Sequence, residues 1–128
     1  MSKPTVAVIG ASTDRRKYGN KSVRAHGEMG YEVFPVNPRA GEIEGWTAYA
    51  SLADVPARHL DRISVYVPPS VGLSLLDEIR AAGAVEVIFN PGSESDELLQ
   101  RAGGMGINAI AACSIVRLGT SPGRFPDE

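Results

Sequence analysis

Cysteine is nearly missing from this sequence: Cys113 stands alone among 128 residues. An intramolecular disulfide and a cysteine-based metal cluster are thereby excluded, which fits a reducing, cytoplasmic setting. An excess of charge of either sign is also lacking. With 13 Lys and Arg against 15 Asp and Glu, the formal net charge is −2. That gives no electrostatic case for nucleic acid or an anionic membrane. The basic residues are scattered, apart from Arg15, Arg16 and Lys17. No apolar run is long enough to span a bilayer, and Met1 to Lys3 lead into a strand pattern rather than a signal peptide. Internal repeats and low-complexity tracts are absent. No pair of carboxylates and no Ser/His/Asp set stands out as catalytic machinery. His26, His59, Asp14, Glu28, Asp77 and Glu78 are read as structural or solvated.

What is present is an ordinary globular composition, 43% hydrophobic and 22% charged, at a length that suits one domain. Thr5 to Ala11 is a β-branched apolar run ending at glycine. It carries apolar residues on both faces, as a strand of a parallel sheet does. Tyr18 to Met29 reads as a helix stopped by Gly30. Tyr31 to Val36 is a second strand, with Pro35 marking a strand end or one-sided pairing. Arg39 to Pro56 is irregular, with one helical turn near Ser51 to Val55. Leu60 to Val67 is the third strand. Ser70 is read as the N-cap of a helix whose Leu75, Leu76, Ile79 and Ala82 share a face. Val85 to Phe89 is the fourth strand. A helix capped by Ser93 or Ser95 follows, and Ile107 to Ala112 is the fifth strand.

This order predicts an α/β protein: a Rossmann-like open parallel five-stranded sheet with helices on both faces. Counted along the chain, the expected strand order is 3-2-1-4-5. Residues 1–119 form the domain and residues 120–128 an irregular tail.

Four strand ends share one character: Gly10-Ala11-Ser12, Asn37-Pro38-Arg39, Pro68-Pro69-Ser70 and Asn90-Pro91-Gly92. In the expected fold all four lie along one sheet edge, where ligands of such sheets bind. Small residues and prolines keep that edge low and rigid. A helix starting at Tyr18-Gly19 directs free N–H groups and its positive dipole end toward a phosphate. The glycine pattern is not a standard fingerprint. After Gly10 the next glycine is Gly19, so neither the dinucleotide nor the P-loop spacing is met. Where NAD enzymes carry an acid for the ribose hydroxyls, this chain has Asn37, Pro38 and Arg39. A cation there favours a ligand with an extra ribose phosphate, either NADP or coenzyme A.

The pieces VAVIGAS with KYGN, PVNP, SLADVP, VYVPP, FNPGSES and a cysteine after the fifth strand resemble the stand-alone CoA-binding proteins of Rossmann type. That family is similar to the N-terminal domain of the succinyl-CoA synthetase α chain and of ADP-forming acyl-CoA synthetases. The likeness runs from Val6 to about Val116. It implies coenzyme A as ligand, with Gly10, Ala11, Ser12 and the loop through Arg15, Arg16 and Lys17 near its phosphates. It further implies that Asn37, Pro38 and Arg39 border the nucleotide, with Tyr66, Val67, Pro68 and Ser70 opposite. Tyr18, Gly19, Pro69 and Asn90 complete the candidate set.

The synthetases carry a phosphorylated histidine on a second domain, and His26 and His59 match nothing of that kind. The resemblance therefore carries binding and not the ligase reaction. A carrier, sensor or regulatory module is the first reading. An NADP-dependent oxidoreductase domain, or the CoA-binding subunit of a split acyl-CoA synthetase, is the alternative. A protein partner and self-association are left open by the sequence. Cys113 is either a small buried apolar residue or a neighbour of the ligand thiol that forms a mixed disulfide with it. Trp46 and Tyr49 plug the sheet edge or, alternatively, stack on adenine.

Overall fold

The computed structural model describes residues 3–128. The first strand is β1 (Thr5–Ile9), flanked on both sides by other strands. Val6 and Val8 face one side of the sheet, Ala7 and Ile9 the other, the period of two inherent in a pleated strand. Along the chain follow α1 (Tyr18–Glu28), β2 (Glu32–Val36), β3 (Glu42–Ile43), β4 (Trp46–Thr47) and a 3-10 turn at Leu52–Asp54. Then come β5 (Arg62–Val65), α2 (Pro69–Ser74), α3 (Leu76–Ala82), β6 (Glu86–Phe89), α4 (Asp96–Gly104), β7 (Ala109–Ala111) and α5 (Ser114–Arg117). The order β2-β1-β5-β6-β7 makes one parallel sheet. Val23 of α1 packs with Val6, Val8 and Val33 on one face. Leu76, Ile79, Leu98 and Ala102 pack with Ala7, Ile9, Val65 and Phe89 on the other. The expected α/β class, with helices on both faces, is the observed one.

The strand order differs from the expected 3-2-1-4-5. In the same count the sheet runs 2-1-3-4-5, because β5 pairs with β1 rather than lying outside β2. The outer rim of β2 is already occupied. Tyr49 N donates to Pro35 O at 2.9 Å, and Asn37 N donates to Tyr49 O at 2.9 Å. Pro35 itself has no N–H to offer a strand. The chain therefore returns across the sheet and joins the free side of β1. The topological switch point lies between β1 and β5, whereas the expected order would have put it between the first and fourth strands.

Three local expectations are also corrected. Ser70 does not cap a helix: α2 begins one residue earlier, with Pro68 as N-cap and Pro69 in the first turn. Pro69 suits that position because the missing N–H would be unpartnered there anyway. The expected single helix is broken at Leu75 into α2 and α3. The irregular segment contains a hairpin, β3 and β4, turning through Glu44 (φ 51°) and Gly45 (φ 84°). Two successive positive φ values mark the tight turn that matches strand twist. Ser95, one of the two expected caps, accepts from Leu98 N at 3.1 Å and starts α4. Trp46 packs on the α1 face of the sheet, against Gly27, and Tyr49 packs near Phe34 on the other.

Residues 120–128 contain one 3-10 turn, Pro122–Arg124, and the segment docks against α1. Phe125 is buried with Ala25 and Ile115. Asp127 meets Lys21 Nζ at 2.7 Å, Arg24 donates to Pro126 O at 2.9 Å, and Arg124 meets Glu28 at 3.1 Å.

On the inward face of α1, His26 is fully buried. Its Nδ1 lies 2.8 Å from Ser22 O, and its Nε2 lies 3.2 Å from Nη1 of Arg62. Guanidinium only donates, so Nε2 accepts and Nδ1 carries the proton. Burial, helped by the Arg62 charge and opposed by the Ser22 bond, holds the imidazole pKa at about 4. The unfolded chain takes up this proton below about 6.5, whereas the folded chain resists until about 4. Stability is complete above pH 6.5 and falls as the pH drops toward 4. Urea unfolding at pH 7.5 and pH 4.5 is expected to reveal a His26-dependent loss of about 2 kcal/mol. His26→Gln, which keeps a donor and an acceptor, should remove that component; an unchanged pH dependence would exclude His26 as its source.

Candidate functional site

The first turn is set by two glycines. Gly10 ends β1 at φ 85° and donates to Val36 O at 3.3 Å. A Cβ on Gly10 would sit 3.0 Å from the carbonyl carbon of Tyr66, and a Cβ on Gly19 would fall on the Gly10 carbonyl oxygen. Only glycine at both places lets α1 begin directly against the end of β1. Lys17 is the N-cap of α1, with extended backbone and no side-chain cap. The first N–H groups of α1, at Tyr18 and Gly19, are thus left without intrahelical partners at the positive end of the helix dipole.

Side chains fix the loop between. Ser12 Oγ accepts from Asp14 N at 3.0 Å. Asn20 Nδ2 donates to Ser12 O at 2.9 Å and to Glu44 of the hairpin turn at 3.0 Å. At the end of β2, Asn37 Nδ2 donates to Ala11 O at 2.8 Å, while its Oδ1 accepts from Arg39 N at 2.8 Å. One amide thereby ties the first corner to the second.

Between these corners and the end of β5 runs a cleft of about 520 Å³. Of the candidate residues, Gly10, Ala11, Ser12, Lys17, Tyr18 and Gly19 line its first side; Asn37, Tyr66, Val67 and Pro68 line the rest. A second, mostly apolar cleft of about 320 Å³ adjoins it across Gly10, Ala11, Asn37 and Val67. Pro38 lies in its wall with Leu52, Val71 and Leu75. Arg39 is exposed beside Pro38. Among the described residues, Lys17 and Arg39 make no ion pair.

Other candidates are placed differently. Arg16 forks onto Asp14, Nε to Oδ1 at 3.0 Å and Nη2 to Oδ2 at 2.9 Å. That guanidinium holds the Asp14 carboxyl at about 2, well below its ordinary value. Arg15 is turned to Glu44 at 3.5 Å. Pro69 and Ser70 sit in the first turn of α2 and line neither cleft.

Asn90 is buried and its amide faces inward. Its Nδ2 donates to Ser64 Oγ at 3.0 Å and Val65 O at 2.9 Å, and its Oδ1 accepts from Ser114 N at 2.8 Å and Ser114 Oγ at 2.9 Å. Ser64 Oγ lies 2.7 Å and the Tyr66 hydroxyl 3.0 Å from Ser114 Oγ. Burial pushes the Tyr66 phenol above its ordinary pKa, so it stays neutral within this network. Sequence reasoning chose Asn90 from its corner and passed over its neighbours. Pro91, Gly92 and Ser93 line the cleft instead. The turn signal was present, but only coordinates tell which of its residues faces outward.

A larger cleft, about 730 Å³, lies at the opposite end of the strands. It holds His59, exposed and 3.1 Å from Asp61. Asp61 there accepts from Thr5 N at 2.8 Å, which anchors the start of β1. Among the described residues no helix is long and apolar enough to cross a membrane.

This arrangement has relatives. A conserved hypothetical protein of Pyrococcus furiosus superposes with a TM-score of 0.80 at 35% identity, over 89% of this chain and 98% of that one. A protein of Thermus thermophilus gives 0.82 at 34% identity, over 91% and 90%. The α subunit of ADP-forming acetate–CoA ligase II from P. furiosus is 34% identical over 85 residues, 66% of this chain. The aligned region makes up only 18% of that subunit. The family model described as a CoA binding domain matches residues 4–119, and with that match over nearly its whole length the chain belongs to the CoA binding domain family.

Proposed function

We propose that the chain binds coenzyme A across the carboxyl ends of β1, β2 and β5. The supporting observation is the Gly10–Gly19 contact, which brings the unpartnered N–H groups of α1 to the strand ends. A side chain at Gly19 would collide with the Gly10 carbonyl and push the start of α1 off the strand ends. The diphosphate lies on these N–H groups, with Lys17 adding charge. Asn37 and Pro38 direct the ribose outward, so that its 3′-phosphate meets Arg39. Adenine, flat and largely apolar, enters the cleft between Pro38 and Leu75. The pantetheine arm crosses Tyr66 and Pro68 toward Pro91. NADP has nothing comparable in its favour: the family match is to CoA binding, and the dinucleotide glycine spacing is missing.

The reading is of a cytoplasmic binding, carrier or regulatory domain spanning residues 1–119, with 120–128 appended. A second reading draws on the likeness to a ligase α subunit: the CoA-binding subunit of a split synthetase, completed by a partner chain. Co-purification of a partner that forms acyl-CoA from ATP, acid and CoA would favour the second reading. Purification as a lone CoA-binding chain would favour the first.

Calorimetric titration distinguishes the four cations. Lys17→Ala and Arg39→Ala should each weaken CoA binding about ten- to a hundredfold, as expected when a charged hydrogen bond to phosphate is lost. Arg15→Ala and Arg16→Ala should change it little, because both are already paired. Against dephospho-CoA, Arg39→Ala should match the parent protein, while Lys17→Ala should remain weakened. Equal loss from all four variants would reject this assignment.

Gly19→Ala gives a second test. Its methyl group collides with the Gly10 carbonyl, so α1 must shift away. Far-UV circular dichroism should still report an α/β chain, with CoA binding abolished. Undiminished affinity in that variant would remove the proposed diphosphate cradle.

A further inference from the structure

Beside the main cleft is a small chamber of about 170 Å³, lined by Tyr18, Tyr66, Asn90, Pro91, Cys113 and Pro122. It shares Tyr18, Tyr66 and Pro91 with the main cleft, so the two spaces adjoin along these residues. The polar atoms of Asn90 are engaged inside the protein, and the Tyr66 hydroxyl is bonded to Ser114. What these side chains present to the chamber is therefore ring and hydrocarbon.

Its wall at Pro122 comes from outside the matched family domain, which ends at residue 119. The tail that carries Pro122 is held in place. Phe125 is 6% exposed, and Arg24 grips Pro126 O at 2.9 Å. Asp127 binds Lys21 at 2.7 Å, and the same ammonium lies 5.9 Å from the centre of the Tyr18 ring. One ion pair thus couples the tail to a residue at the mouth of the chamber.

We infer that residues 120–128 close an acyl pocket at the thiol end of the ligand site, and that the chain selects short-chain acyl thioesters of coenzyme A. This rests on the coenzyme A reading above. At about 30 Å³ for each water-sized group, the chamber holds five or six such groups. The thioester sulfur, the carbonyl oxygen and an acyl chain of two to four carbons, the carbonyl carbon included, fit that size. An eight-carbon chain does not fit without displacing Pro122. Each methylene enclosed in an apolar site is worth up to roughly fourfold in affinity.

The test is a calorimetric series with CoA, acetyl-CoA, butanoyl-CoA and octanoyl-CoA on the full chain. Affinity should rise from CoA to butanoyl-CoA, by roughly tenfold between acetyl and butanoyl, and fall at least tenfold at octanoyl-CoA. Pro122→Gly and Asp127→Ala should recover octanoyl-CoA binding while leaving CoA itself unchanged. The first removes the wall; the second loosens the tail without touching buried Phe125, so a folding failure in one does not remove the test. Octanoyl-CoA bound as tightly as butanoyl-CoA by the parent protein would overturn the pocket. An octanoyl response unchanged in both variants would overturn the role of the tail. Absence of binding for every thioester and for CoA would overturn the underlying ligand reading as well.

Discussion

Everything at the carboxyl edge of the sheet depends on how near α1 comes to β1. At Gly19 the helix backbone rests on the Gly10 carbonyl with no room for a methyl group. That contact fixes where the helix starts, and so where its unpartnered N–H groups lie relative to the sheet. The loop from Ala11 to Lys17 is then short of freedom, and its side chains cross-link it. Asn37 holds the corner from one side, and Asn20, reaching Ser12 and Glu44, holds it from the other. A rigid edge of this kind favours binding because little ordering remains to be done when a ligand arrives.

Below that edge the core is polar where hydrocarbon would be simpler. Ser64, Asn90 and Ser114 are buried and mutually hydrogen-bonded, with Tyr66 joined to them at the cleft floor. Among the described residues no buried side-chain nitrogen or oxygen is left without a partner. Each member satisfies another, so the cost of burial is offset only while all are present. The network joins β5, the end of β6 and the start of α5. It holds Tyr66 upright between the main cleft and the chamber.

Much of this was legible in the sequence, and the unread parts share a physical cause. Local signals held: the buried run before Gly10, the corners at Asn37-Pro38 and Pro68-Pro69, and the Ser95 cap all act within a few residues of themselves. Order in space did not follow from them. Whether β5 lies outside β2 or beside β1 depends on Tyr49 reaching the rim of β2, a contact made after a turn that local pattern does not reveal. The basic cluster divides in a way that local pattern does not show either. Arg15 and Arg16 look alike beside Lys17, yet their partners Glu44 and Asp14 divide them from it, and Glu44 comes from the distant hairpin. Asn90 and Ser70 were assigned by neighbourhood, where the direction of a side chain and the true first turn of a helix decide. The docking of Phe125 could not be read, because nothing in a stretch rich in proline and glycine announces an anchor.

The occupied rim of β2 resists further growth of the sheet on that side. Proline and the Tyr49 main chain interrupt, near its end, the ladder that a foreign strand would extend. At the other margin β7 presents only three residues, a template too brief to recruit another chain readily. A protein with an all-parallel sheet, whose margins would otherwise invite polymerisation, is thus guarded by blockade at one end and brevity at the other.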